Sequence, residues 1–218
     1  MAASATRRKL IDAATRSFAE HGVFTASLID ITRKAGQRNR GALHYHFGSR
    51  TGVLCAVLAD HAEFLARREG ELLTSAHAAP SSDVASVVEA IVRPAAELAE
   101  SGWRGRCFLL ILAELVDEDP AGLGDEVNAV LAKTGGYDVY ALLEERLGDI
   151  PAEVRVERIS LATGFVLRAV ADRARASGAS GASGRRRHGG RPQLGHEAFV
   201  ANLVAMVAAA LSAPVRAD

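Results

Sequence analysis

Over residues 27–50 the chain reads SLIDITRKAGQRNRGALHYHFGSR, where two short helical periodicities meet across a glycine. Ser27 stands where an N-cap residue would, its hydroxyl able to accept an orphan N–H. Asp30 follows where a carboxylate favours the positive end of a helix. Leu28, Ile31 and Ala35 then recur at helical spacing and define one inward face. Gly36 falls where a left-handed residue ends a helix and turns the chain. The second helix is expected to start near Asn39, a good N-cap residue, and to run to about Phe47. Leu43 and Phe47 point inward together, whereas Arg40 and His44 share a neighbouring, outward face. The pair reads as a helix-turn-helix, anchored by one side of its second helix and offering Gln, Arg, Asn and His on the other.

That polar side suits nucleic acid. Arg can bond guanine O6 and N7 as a fork, Asn or Gln can pair with adenine, and Tyr, Ser and Arg can hold phosphates. A solvated surface helix behind an ordinary glycine turn has the same periodicity, because such helix pairs are common in bundles that do not bind DNA. Charge separates the two readings. Residues 1–50 carry nine Lys/Arg against three Asp/Glu, and the remaining residues carry 17 against 23, so a formal net charge of zero conceals a basic head on an acidic body. Such polarity fits a polyanion-binding segment on a body that avoids non-specific DNA contact.

Two segments, RRKLIDAATRSFAEHGVFTASLIDITRKAG and GALHYHFGSRTGVLCAV, resemble the N-terminal domain of tetracycline-repressor (TetR) family regulators over roughly residues 7–58. Helix, loop, capped helix, turn, Leu-x-Tyr-His-Phe and the next helix start appear in that order. The resemblance implies that Arg40 and its neighbours Gln37, Arg38, Asn39 and His44 enter the major groove, while Ser27, Tyr45, His46 and Arg50 hold the phosphate backbone. One departure stands out. Where the family's commonest pattern is Ala-Gly-Val-Ser-x-Gly, this chain has Ala35-Gly36-Gln37-Arg38-Asn39-Arg40-Gly41, one residue longer. Residues 43–47 therefore anchor the comparison, and base-reading roles for Gln37, Arg38 and Asn39 follow from it less directly than the phosphate roles.

At 218 residues, 49% of them apolar, the chain can bury a sizeable core. The expected architecture is all-α, with a three-helix helix-turn-helix head over 1–48 and a helical effector-binding and dimerisation body over 49–218. The basic N-terminus lacks an apolar signal segment and apolar runs such as 107–113 are too short for a bilayer, so a cytoplasmic location is expected. Cys55 and Cys107, the only cysteines, exclude a disulfide framework and read as buried thiols.

The first helix is expected from Ser4 or Thr6 to His21, with Leu10, Ile11, Ala14 and Phe18 inward and Gly22 beyond its end. Ser49 can cap a long fourth helix whose stripe of Val53, Leu54, Val57, Leu58, His61, Phe64 and Leu65 continues to about Ser75 and carries it from head into body. His61 on that stripe could line a ligand pocket but reads first as a core or interface histidine. A loop over 76–82 leads to a helix capped by Ser82, which Pro94 is expected to end or kink near 91–93. After Trp103, residues 107–113 (CFLLILA) are apolar on every side and must lie at the centre of the body. The cluster Asp117, Glu118 and Asp119 reads as a solvated helix end, since no His or Cys with ligand spacing stands near. A further helix is expected over roughly 123–147, with Gly135-Gly136 as its weak point. Pro151 suits the first position of a helix to 176 that carries Val154, Ile159, Ala162, Phe165, Val166, Ala169 and Val170. Residues 177–192 are low-complexity Gly, Ser and Arg and read as a mobile loop. The last helix, over 196–212, bears Phe199, Leu203, Met206, Val207 and Leu211.

Together the last two helices would expose a wide apolar surface on one copy, so a homodimer through Phe165, Ala169, Phe199, Leu203 and Met206 is expected. By the resemblance, kinked body helices wall a cavity, and an apolar or amphipathic small molecule is expected among Trp103, Phe108, Leu112, Tyr140 and Phe165. Phosphate-binding catalytic motifs and a Gly-x-Ser-x-Gly elbow are missing from the sequence. His44 and His46, two apart, cannot converge on one metal, so no catalytic residue, metal or cofactor is expected. The reading is a dimeric, ligand-responsive transcriptional regulator, a repressor, on a near-palindromic double-stranded DNA operator. A small helical enzyme with a pocket near Trp103 and a helical interaction protein that does not bind DNA are the alternatives.

Overall fold

Leu10, Ala14 and Phe18 recur every four residues along α1 (Ala2–His21) and are wholly buried, giving later helices a wall to close against. The structure, a computed structural model, describes residues 2–116, 118, 120–179 and 194–215. These form eleven α-helices and one 3-10 turn, with no strand among the described residues.

The Ser27 hydroxyl accepts the Asp30 N–H at 3.3 Å and caps α2 (Leu28–Lys34). That helix ends at Gly36, whose φ is 72°; the Gly36 N–H donates to the Arg33 carbonyl and the Gln37 N–H to that of Thr32. Paired bonds of this pattern around a left-handed glycine stop a helix sharply. The next helix, α3 (Ala42–Phe47), begins three residues later than expected. Asn39 does not cap it: its Oδ1 accepts the Gly41 N–H at 2.9 Å and its carbonyl accepts that of Ala42, which shapes a turn instead. Arg40 therefore precedes α3 and does not share a helical face with His44.

Ser49 caps α4 (Arg50–Ala78), its hydroxyl accepting the Gly52 N–H at 3.0 Å. A Cβ on Gly52 would lie 2.0 Å from the Phe47 carbonyl oxygen, so α4 can start this close to the end of α3 only with glycine there. At 29 residues, α4 is roughly 43 Å long and passes from head to body.

Asp83, not Ser82, caps α5 (Val84–Glu100), accepting the Ser86 N–H at 3.2 Å. The helix runs unbroken through Pro94. Proline removes one ladder bond, but Val87, Val88, Ala90 and Val92 before it and Ala95, Ala96 and Leu98 after it are all buried, and this packing keeps the helix continuous. The central helix is α6 (Trp103–Val116), which packs on α1, α4, α5 and α10, and none of residues 107–115 is exposed. The single helix expected over 123–147 is in pieces: α7 (Pro120–Leu123), α8 (Asp125–Leu131), a 3-10 turn (Ala132–Thr134) and α9 (Gly136–Arg146), parted at Gly124 and Gly135, both with positive φ. Two long elements, α10 (Ala152–Ala179) and α11 (His196–Leu211), complete the body, and α11 lies on α5 as well as on α10. Of the segment read as a mobile loop, 177–179 close α10 and 180–192 lie outside the described residues, as do Asp117 and Asp119 of the acidic cluster.

One contiguous core runs from Leu10 in the head to Leu211 in the body. Cys55 and Cys107 are half-buried, and desolvation raises both thiols above their ordinary pKa. No helix among the described residues is long and apolar enough to cross a membrane.

Candidate nucleic-acid interface and body cavity

Ala42 and Leu43 bury the inner side of α3, and Phe47, half-buried, lies under the Arg7 guanidinium at 5.1 Å. The outer side holds His44, exposed, and Tyr45, 83% exposed; Arg38, Asn39 and Arg40 stand out from the turn before it. Gln37 is half-buried and its amide donates to the Ala35 carbonyl at 3.3 Å. His46 packs edge-on to Tyr45, ring centroids 5.1 Å apart. Ser27 and Arg50 flank this surface at the starts of α2 and α4. Part of Arg50 is committed within the protein, because its Nη1 donates to the Val23 carbonyl at 2.7 Å.

The basic excess of the head narrows when partners are considered. Arg8 pairs with Asp60 and Asp12, Arg33 with Asp30, Lys34 with Glu20, and Arg16 stacks on Trp103. Arg7 lies over Phe47 and Arg50 is bonded to Val23. Lys9, Arg38 and Arg40 have no such partner among the described residues, and two of these three lie beside α3.

Head and body are joined by a set of polar contacts that sequence reasoning missed. Arg104 on α6 grips Asp12 on α1 with two bonds of 2.9 and 2.7 Å, and these hold the Asp12 carboxyl below its ordinary pKa. The Trp103 ring has the Arg16 guanidinium 3.6 Å from its centroid and that of Arg104 at 4.8 Å. Glu114 accepts the Val23 N–H with both carboxylate oxygens, at 2.9 and 3.0 Å. Val23 thus bonds the centre of the body through its N–H and Arg50, at the start of α4, through its carbonyl. The only signal in the sequence was an acidic residue directly after the apolar run of α6.

A cavity of about 240 Å³ opens in the body between α4, α5, α6, α9 and α10. Of the five residues expected around a ligand, Leu112 and Tyr140 line it and Trp103, Phe108 and Phe165 do not. Trp103 belongs to the joint with the head. Phe108 is wholly buried against His61, ring centroids 5.0 Å apart, and burial lowers that histidine's pKa, which fits its reading as a core residue. On α10 the cavity is faced by Ile159, Thr163 and Leu167. Phe165 lies about 200° around the helix from Thr163 and is 46% exposed. Glu69, which sequence reasoning passed over, lines the cavity from α4.

The expected interface set also divides. Leu203 is 3% exposed and belongs to the chain's own core, because α5 as well as α10 covers the inner side of α11. Phe165 and Met206 are about half exposed, with Leu161 67% exposed one turn from Phe165. Ala169 and Phe199 are half-buried, the latter under the Arg173 guanidinium at 4.4 Å.

These features define an all-helical protein with a helix-turn-helix head. Residues 10–57 match the bacterial regulatory proteins of the tetR family. Over 57 residues the chain is 49% identical to the HTH-type transcriptional regulator SrpR of Pseudomonas putida, a match covering 26% of each protein. It is also 49% identical over 57 residues to the uncharacterized HTH-type transcriptional regulator TtgW of Pseudomonas putida, covering 26% of this chain and 42% of that one. The chain thus spans less than half the length of either relative. Two solved structures share the fold nearly throughout. The fatty acid degradation regulator FadR from Bacillus halodurans has a TM-score of 0.54 at 17% identity, with 93% of this chain and 94% of that one covered. AibR, solved with isovaleryl coenzyme A and operator DNA, has a TM-score of 0.53 at 14% identity over 92% and 97%. Over residues 10–57 the head is therefore similar to tetR-family regulators, and the chain as a whole shares the fold of these neighbours.

Proposed function

We propose that the chain is a cytoplasmic, dimeric and ligand-responsive transcriptional regulator, a repressor, whose head over 1–48 reads a near-palindromic operator and whose body over 49–218 binds an effector and a second copy. The observation that carries this reading is the surface beside α3, where Arg38, Arg40 and Tyr45 stand exposed around a helix anchored by Leu43. Gln37, Arg38, Asn39, Arg40 and His44 are assigned to base edges, and Ser27, Tyr45, His46 and Arg50 to phosphates. A gel shift against the DNA flanking the protein's own gene tests it. Binding should weaken steeply with salt, because each dimer brings two copies of these cations to the duplex. Arg40→Ala should cost about 1–3 kcal/mol and relax preference at one base-pair position, whereas Tyr45→Phe should weaken all sites alike. Equal losses on operator and random DNA would move Arg40 to the phosphate class.

The effector is an apolar or amphipathic small molecule held in the body cavity. Leu109, Leu112 and Val116 of α6 line that cavity, and Glu114 of the same helix holds Val23, so one helix touches both the ligand space and the head. AibR supports the pairing of ligand and operator on one such fold. Ligand and DNA then favour different settings of α6 against the head, and by linkage each weakens the other's binding equally. Glu114→Ala leaves the Val23 N–H without its partner and should cost about 1–3 kcal/mol of stability. Amide exchange at Val23 and around Arg50 should accelerate with it; exchange that stays at the wild-type rate would remove Glu114 from this link.

A further inference from the structure

Among the described residues, Glu69 is the one ionisable carboxylate that lines the body cavity, and no Lys, Arg or His lines it. It is 7% exposed, on the inward face of α4 between Leu65 and Leu73, and its Oε2 has no hydrogen-bond partner. That oxygen is pressed against Gly135, where a Cβ would lie 2.9 Å away. An unpaired carboxyl in such surroundings is costly, and a hydrocarbon side chain would fill the same place without the penalty. The two threonine hydroxyls in the wall have no proton to give an ionised Glu69. The Thr134 hydroxyl already donates to the Leu131 carbonyl at 2.7 Å, and that of Thr163 donates to Ile159 at 2.8 Å, so both leave only acceptor lone pairs. The charge that acts on Glu69 is Asp138, at the start of α9, and it has the same sign. Tyr137 and Tyr140 complete the wall with aromatic rings, whose faces attract cations.

We propose that this cavity takes an amphipathic amine, a small apolar body with one protonated nitrogen that donates to the Glu69 carboxylate beside Tyr137 and Tyr140. The proposal rests on the reading of the cavity as the effector site and names the chemical class of the effector. A ligand ending in a carboxylate would set a further negative charge against Glu69 and Asp138, so the same groups select against it. Burial first and Asp138 second push the Glu69 carboxyl up to about 8, so it holds its proton at neutral pH. When the ammonium ion arrives, that proton passes to the buffer and the carboxylate pairs with the amine.

Isothermal titration of the full chain at pH 7, without DNA, with octylamine, 1-octanol and octanoate tests this. All three share one tail and differ in charge. Octylamine should bind about tenfold or more tighter than 1-octanol, with octanoate weakest. The heat of octylamine binding should differ between phosphate and Tris, because about one proton is released; that of 1-octanol should not. Glu69→Gln keeps the size of the side chain, and should bring octylamine to within about twofold of 1-octanol while 1-octanol binds as before. Octanoate binding best, an amine advantage that survives Glu69→Gln, or no binding of any probe overturns the proposal. Operator release is measured separately by gel shift. Glu69-dependent amine binding that leaves the operator complex intact would sink the effector reading and leave the amine site standing. Release by 1-octanol as readily as by octylamine would do the reverse.

Discussion

Leu203→Glu is expected to unfold the body, whereas Phe165→Glu is expected to leave a folded monomer that has lost its operator. Both residues are apolar and both lie on the last two helices, but they face opposite ways. Leu203 is 3% exposed, and a carboxylate there would be buried between α11, α5 and α10 without a partner, at a cost of more than about 4 kcal/mol. Phe165 is 46% exposed, near Leu161 at 67%, and Met206 on the neighbouring helix is 50% exposed. A two-fold dimer would bury each of these twice, and a glutamate at Phe165 would set two charges in the same interface. A monomer has one reading head where a palindrome needs two about 34–36 Å apart. Losing the second head removes its contribution at high effective concentration, so operator affinity should drop by about 100-fold or more. Circular dichroism separates folded from unfolded, analytical ultracentrifugation reads the oligomer, and a gel shift reads the operator. A Phe165→Glu protein that sediments as a dimer with wild-type operator affinity would place the interface elsewhere.

The elements that the sequence disclosed best are those whose signals are local. Ser27 and Ser49 cap helices, Gly36 ends one, and Leu10, Ala14 and Phe18 face the core, because each depends on neighbours within a few residues. Where the structure departs from the sequence pattern, a competing partner or a distant one decided the outcome. Asn39 has the chemistry of a helix cap, yet its side chain bonds Gly41 and delays α3, and the extra residue lengthens the turn rather than the helix. Pro94 has the chemistry of a helix breaker, yet buried neighbours on both sides keep α5 whole. Apolar side chains look alike in a stripe whether they face a cavity, the core or solvent, so periodicity does not separate the buried Phe108 and Leu203 from the half-exposed Phe165. The contacts that tie body to head join residues about ninety positions apart, such as Asp12 with Arg104 and Val23 with Glu114, and no periodicity reports such pairings. Glu69 was legible in principle, since it interrupts the inward series Leu65, Leu73 and Ala76 of α4 with a charge.

That interruption also predicts an unusual pH dependence of stability. Glu69 has a folded pKa of about 8 against an ordinary 4.5, with burial as the larger cause and Asp138 as the smaller. Because the folded value is the higher one, the folded state keeps a proton that the unfolded chain gives up above about pH 4.5. Its contribution is therefore fully present below that pH, declines as pH rises, and is gone once pH passes the folded value near 8. The shift corresponds to roughly 3–5 kcal/mol, which in a chain of this length is roughly ten degrees of melting temperature. Glu69→Gln removes the titration without changing the size of the group. Melting curves taken between pH 5 and pH 9 should diverge, the wild type losing stability relative to Glu69→Gln across that interval. Octylamine should narrow the gap at the alkaline end, since a ligand that pairs with the ionised carboxylate stabilises the folded state by mass action. Wild-type and Glu69→Gln curves that run parallel over the whole range would show that Glu69 is ionised and solvated in the folded protein. The orphaned carboxyl on which the amine site is built would then not exist.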